Sequence, residues 1–233
     1  MAYDIEILGA NGAQGAHGIA AQKDKAADGA NGRDYGPCNW QGGTPEAQGG
    51  NHGGGGARGN NGEDGGGGDN APSVNVTIGQ FTGNITLHVK PGNGGDGGNG
   101  AKGQKGGDGG KGGDGGTCPA GIKTSFSGAN GGNGGNGGDG GNGGKGGAMG
   151  YGGYIDVDYK SLTENNIHVI KDNATNGESG KAESGGVGGK GGQPGKAGSG
   201  KGNDGTNGAT GITPERITKI KTSSEVIINK KLQ

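Results

Sequence analysis

Apolar side chains are scarce in this chain of 233 residues: 24% are hydrophobic and 3% aromatic. That excludes a conventional core, which at this length is built from roughly twice that share of apolar residues. Charge of one sign is missing as well. Lys plus Arg number 21 and Asp plus Glu 22, interspersed, so no basic field draws nucleic acid, and so few aromatics leave bases nothing to stack on. The 7 prolines are too few for a collagen triple helix. Two cysteines, Cys38 and Cys118, fall short of a disulfide framework or a four-ligand zinc site. They stand in separate interruptions of the glycine pattern, where a bridge between them and a pair of free thiols are both compatible with the sequence. No stretch is long and apolar enough to span a membrane. The opening MAYDIEIL holds Asp4 and Glu6 where a Sec signal would have a cationic start and an apolar run. The expectation is a protein not inserted in membrane that reaches an extracellular or virion surface without a cleavable signal.

Glycine is what the chain has: 70 residues of it. Gly loses the most backbone freedom on ordering, at ~1–2 kcal/mol per residue, and buries almost no area in return. The chain is therefore either disordered or held by backbone hydrogen bonds. Its regularity argues for order. Glycine recurs every third residue at 9–18, 50–68, 94–115, 128–146, 177–198 (save Glu183) and 202–211, with the first run interrupted between Ile19 and Asp28. Three is the period of the polyproline II conformation, which has no internal hydrogen bonds and must satisfy its backbone through neighbours. Glycine at every third position lets two such backbones approach.

Between these runs lie short stretches that alternate apolar and polar residues: Tyr3, Ile5 and Ile7; Val74, Val76 and Ile78, then Ile85, Leu87 and Val89; Ile155, Val157 and Tyr159, then Ile167 and Val169; 217–221, then Val226 to Ile228. These read as half-buried strands, paired as antiparallel hairpins through 79–84 and 222–225. The fold expected is a single domain, 1–233, with no α-helical core. About six antiparallel polyglycine II helices form a bundle, with hairpins at one end and loops (33–48, 117–127 and 193–196) at the other. It divides into three out-and-back modules, about 1–78, 85–159 and 167–233. The middle runs have glycine at two positions of three, which places them at the centre, with the remaining Asn, Asp and Lys facing water.

Chemistry finds little to stand on. Gly-x-Gly-x-x-Gly matches follow from the period and lack the strand–helix context of a nucleotide site. The windows 109–117 and 134–142 match part of a calcium-binding nonapeptide, but Gly116 and Gly141 occupy the apolar position that such a roll needs. A solvated carboxylate is the expectation at Asp114 and Asp139. His17, His52, His88 and His168 lie apart, with no ligand or catalytic spacing. No enzyme, cofactor or metal site is expected. The loops hold more: Tyr35 and Trp40 in RDYGPCNWQGG, Ile122, Lys123 and Phe126 in TCPAGIKTSFS. Large rigid side chains in such turns are binding candidates, or caps over the open end of the bundle.

Glycine runs out and back, separated by loops with aromatics, resemble the polyglycine sandwich of T-even-type phage tail fibre adhesins. Six runs with loop cysteines are also similar to the snow flea antifreeze protein. The first resemblance implies a non-enzymatic fibre-tip adhesin whose distal loops bind a host or cell-surface receptor, and the second implies ice binding. A third reading is a filament or coat subunit that associates with copies of itself through the strand-bearing end.

Overall fold

The computed structural model describes residues 4–36, 46–117, 125–163, 167–196, 198, 200–216 and 225–230. Among them there is no α-helix. Six extended runs, 9–36, 46–72, 90–115, 128–152, 173–196 and 200–216, lie side by side and are joined by backbone hydrogen bonds that repeat every third residue. Runs 1, 3 and 5 point one way and form one layer. Runs 2, 4 and 6 point the other way and form the second.

Each triplet divides its labour by position. The first residue donates its N–H to the next run of the same layer, as Gly12 does to Asn93 (2.7 Å) and Gly97 to Glu178 (2.8 Å). The second donates to the preceding run in the opposite layer, as Gly66 does to Ala13 (2.7 Å) and Gly95 to Gly66 (2.8 Å). The third carries the side chain outward.

This geometry sets where glycine is required. A Cβ on a first position would meet a carbonyl of the following run: Gly12 would lie 1.9 Å from the Gly66 oxygen. A Cβ on a second position would meet the run two before it: Gly135 would lie 2.0 Å from the Gly54 oxygen. Runs 3 and 4 have neighbours on both sides, which is why both positions are glycine in most of their triplets, with Ala101, Gln104, Ala129 and Met149 among the exceptions. Runs 1 and 2 have no run two before them, and their second positions hold Ala10, Ala13 and Ala16, and Asn51, Ala57 and Glu63. Run 6 has no follower, and its first positions hold Lys201, Asp204 and Asn207.

The interruption after Ile19 is a bulge. Gly18 donates to Asn99 and Ala26 to Lys105, so the nine residues from 18 to 26 oppose only seven from 99 to 105. Two extra residues swing outward around a bend at 22–24, and the run then resumes in phase.

The strands continue the runs. β1 (Ile5–Leu8), β3 (Ile85–Lys90) and β7 (Ile167–Lys171) lead into runs 1, 3 and 5 and form one parallel sheet in the order β1-β3-β7. β2 (Val74–Thr82), β6 (Tyr154–Thr163) and β8 (Glu225–Lys230) lead out of runs 2, 4 and 6 and form a second, β2-β6-β8, also parallel. The expected antiparallel hairpins are therefore wrong. β2 and β3, adjacent in sequence, belong to different sheets, and so do β6 and β7. The physical reason is that each strand inherits the direction of the run it extends, and all runs of a layer point the same way. The chain crosses between sheets after β2 at Gly83, whose φ of 122° lies in the region that favours glycine. The expected strand at 217–221 lies outside the described residues.

Between the two sheets sits the apolar core: Ile7, Ile85, Leu87, Val89, Ala71, Ile155 and Val157, with Val74, Val76, Ile167 and Val169 packed around it. In register, Ile5, Leu87 and Val169 form one row across the first sheet. His88 is buried on this sheet, and its ring nitrogens lie 3.3 Å from Glu6 of β1 and 3.0 Å from Asp172, the residue after β7.

Candidate functional site

Runs 1, 3 and 5 end opposite the sheets, at the loops. There Tyr35 closes run 1, its N–H bound to the Asp114 carbonyl at 2.9 Å. A two-stranded antiparallel ribbon, β4 (Gly116–Thr117) and β5 (Ser125–Phe126), closes the start of run 4. The Tyr35 and Phe126 rings stack at 4.5 Å and 19°, a contact worth ~0.5–1.5 kcal/mol beyond its buried area. Gly116 admits the ring: a Cβ there would lie 2.9 Å from Tyr35 Cδ1. The structure thus brings together two of the five aromatic and loop candidates. Trp40, Ile122, Lys123, Cys38 and Cys118 lie outside the described residues.

Next to this stack, and along both flat faces, third-position side chains do work that the sequence reading missed. They do not simply face water. Those with a short acceptor, Asn, Asp or His, take the third-position N–H of the next run in their layer. Asn11 Oδ1 accepts from Asn93 (2.9 Å), and Asn93 Oδ1 from Thr175 (2.9 Å). Asp28 Oδ1 accepts from Asp108 and Asp108 Oδ1 from Lys190, both at 2.7 Å. On the other face Asn61 takes the N–H of Asn142 and Asn142 that of Ile212. His17 and His52 are rungs of the same kind, their Nδ1 atoms accepting from Asn99 and Asn133 at 2.9 Å. That bond requires an unprotonated Nδ1. The calcium candidates are rungs too: Asp114 Oδ1 takes the Lys196 N–H and Asp139 Oδ1 that of Ala209. Among the described residues no group of three or more His, Cys, Asp or Glu is placed to hold a metal ion. The signal for this ladder was present as Asn, Asp and His acceptors recurring about 82 residues apart, as at Asn11 and Asn93 and at His17 and Asn99.

Charge reinforces several rungs. The Lys25 ammonium, bound to Asp108 (2.7 Å) and to Asp28, has its pKa raised by those bonds. Asp108 is held below the ordinary Asp value by Lys25 and then by the Lys190 N–H. Asp28 is lowered by Lys25, Asp114 by Lys111, and Asp204 by the Gly191 N–H. A carboxyl group depressed in the folded state stabilises the fold above its unfolded value, near 3.8, and that stability is lost as pH falls through the folded value. The melting temperature is expected to hold from neutrality to just above that value and to drop below it. Asp108→Asn should keep the rung and remove its share of the drop. An unchanged melting point at pH 3 (~1 unit below the unfolded value) would contradict this.

No protein-family model matches the chain, and no curated protein matches it. Among solved structures the chain is similar to the nine polyproline type II helical bundle springtail antifreeze protein from Granisotoma rainieri. Identity is 22%, over 86% of this chain and 100% of that one, with a TM-score of 0.14. A score that low carries no argument about fold or function.

Proposed function

We propose that the six runs are polyglycine II helices and that the bundle is a rigid, non-enzymatic rod. It holds the loops at its distal end for contact with a receptor on a host or cell surface, in the manner of a tail-fibre-tip adhesin. Run 3, 90–115, would at ~3.1 Å per residue be roughly 80 Å long. The observation that carries the reading is the closure of both edges. A seventh run packed after run 6 would meet the side chains of Lys201, Asp204 and Asn207, and one packed before run 1 would face the β-carbons of Ala10, Ala13 and Ala16 where glycine is needed. The bundle is therefore discrete and does not grow by the packing of further runs. The Tyr35–Phe126 stack supports the distal end as the working one, because it fixes the roots of the first two loops.

Electron microscopy of the purified protein over a concentration series should show single short rods throughout. Ordered filaments with an axial repeat would refute the discrete rod. Labelled protein should bind a subset of a panel of bacterial and eukaryotic cells, and Trp40→Ala should lose that binding with the melting curve unchanged. Full retention of binding by Trp40→Ala and Tyr35→Ala alike would move the contact away from the loops.

A further inference from the structure

The ladder on the face of runs 1, 3 and 5 lapses at single rungs such as Gln14 and Lys111, and for two successive rungs at the middle of run 3. Asp96, Asn99 and Asp108 of run 3 accept the N–H groups of Glu178, Lys181 and Lys190 at 2.7–2.8 Å. Between them, the two rungs that would serve Ser184 and Val187 are Lys102 and Lys105, which can only donate. The carbonyls of Ser184 and Val187 are fixed by Gly103 and Gly106, so the backbone is in register while these two amides have no acceptor among the described residues. The Lys102 amide is in the same state, because run 1 places Ala20 where His17 serves the rung before.

The gap coincides with the bulge of run 1. There the chain leaves the face and opens a groove of ≈ 400 Å³, lined by Ala20, Ala21 and Lys23 on one side and by Lys102, Lys105, Ser184 and Val187 on the floor and far wall. Three lysines, Lys23, Lys102 and Lys105, and one acid, Asp24, are among its lining residues. Val187 is 56% exposed.

We propose that this groove binds a linear acidic polysaccharide, whose carboxylates take the places that Asp and Asn oxygens hold on the flanking rungs. Each would accept a backbone N–H and face an ammonium, a charge-assisted pairing. The amides of Ser184 and Val187 are three residues apart, roughly 9 Å along the run at ~3.1 Å per residue, so a polymer can fill both where a small anion fills one. The apolar wall of Ala20, Ala21 and Val187 suits the C–H face of a sugar ring, and the absence of an aromatic lining gives nucleic-acid bases nothing to stack on. The site is on the flank of the rod and is independent of the distal loops.

Titrating oligogalacturonate into ¹⁵N-labelled protein tests it. The amide resonances of Lys102, Ser184 and Val187 should shift, with affinity falling as salt rises, while the fully methyl-esterified oligomer should leave them in place. Lys102→Asp with Lys105→Asp rebuilds both rungs. That variant should keep its spectrum dispersed, melt higher and bind at least about tenfold more weakly, as loss of charge-assisted hydrogen bonds requires. Lys102→Ala with Lys105→Ala should weaken binding without raising the melting point. Silent Ser184 and Val187 amides, or undiminished binding by the rebuilt ladder, would overturn the proposal. A sulfated glycan bound as tightly would extend it to oxyanions in general, and equal shifts with single-stranded DNA would overturn the choice of a saccharide.

Discussion

Gly98→Ala should destabilise the protein by about 3–5 kcal/mol or more, whereas Gly55→Ala should change stability by less than about 0.5 kcal/mol. Both are glycines of the same three-residue pattern, and composition alone does not separate them. A Cβ on Gly98 would stand 1.9 Å from the Ala16 carbonyl oxygen. That obstacle is backbone, held by Glu63 at 2.8 Å, so no side chain can rotate out of the way. Runs 1 and 3 would have to part, loosening the bonds from Gly98 to Glu63 and from Gly144 to Gly98, each 2.8 Å. At Gly55, a third position, nothing lies within 4 Å of the added carbon. Alanine there even narrows the unfolded ensemble, which favours folding slightly. Denaturant unfolding followed by circular dichroism distinguishes the two. Equal midpoints would mean that the runs are not packed at contact distance.

The second large effect belongs to the sheets. Leu87→Ala should cost about 2–5 kcal/mol, and Leu87→Met less than about 1.5 kcal/mol. Leu87 is 0% exposed and sits on the central strand between Ile5 and Val169. The main apolar cluster of the described residues lies in this sandwich, so a cavity here is not shared with a larger interior. Run 3 begins directly after β3, so loosening the strand also frees the start of the central run. Thermal unfolding measures it. A loss below about 1 kcal/mol would show that the sheets decorate the bundle without anchoring it.

Much of this architecture could be read from residue order. The phase of glycine located the runs, and the doubling of glycine in 128–146 placed that run at the centre, because a crowded helix can carry fewer side chains. The alternation of Val74, Val76 and Ile78 located a strand. What the alternation could not supply was the strand's partner. A period of two says which face is buried, and both a hairpin and a pair of facing parallel sheets bury the same residues. The ladder was hidden for a related reason: Asn99 is a polar residue on a surface until its register with His17 and Lys181 is known. The role of Tyr35 was half visible, as an aromatic in a loop, but its stack on Phe126 depends on the junction of runs 1 and 4.

The order of the hydrogen bonds bears on how such a chain comes to be folded at all. Run 3 bonds backward to runs 1 and 2, run 4 to runs 2 and 3, and so to the last. Nearly every contact spans a long stretch of sequence, the arrangement that makes folding from a free unfolded chain slow. Synthesis changes the problem. A chain emerging from the ribosome N-terminus first always offers the next run a completed groove of two earlier ones, so each segment is laid on a finished template and no later segment has to be threaded beneath an earlier one.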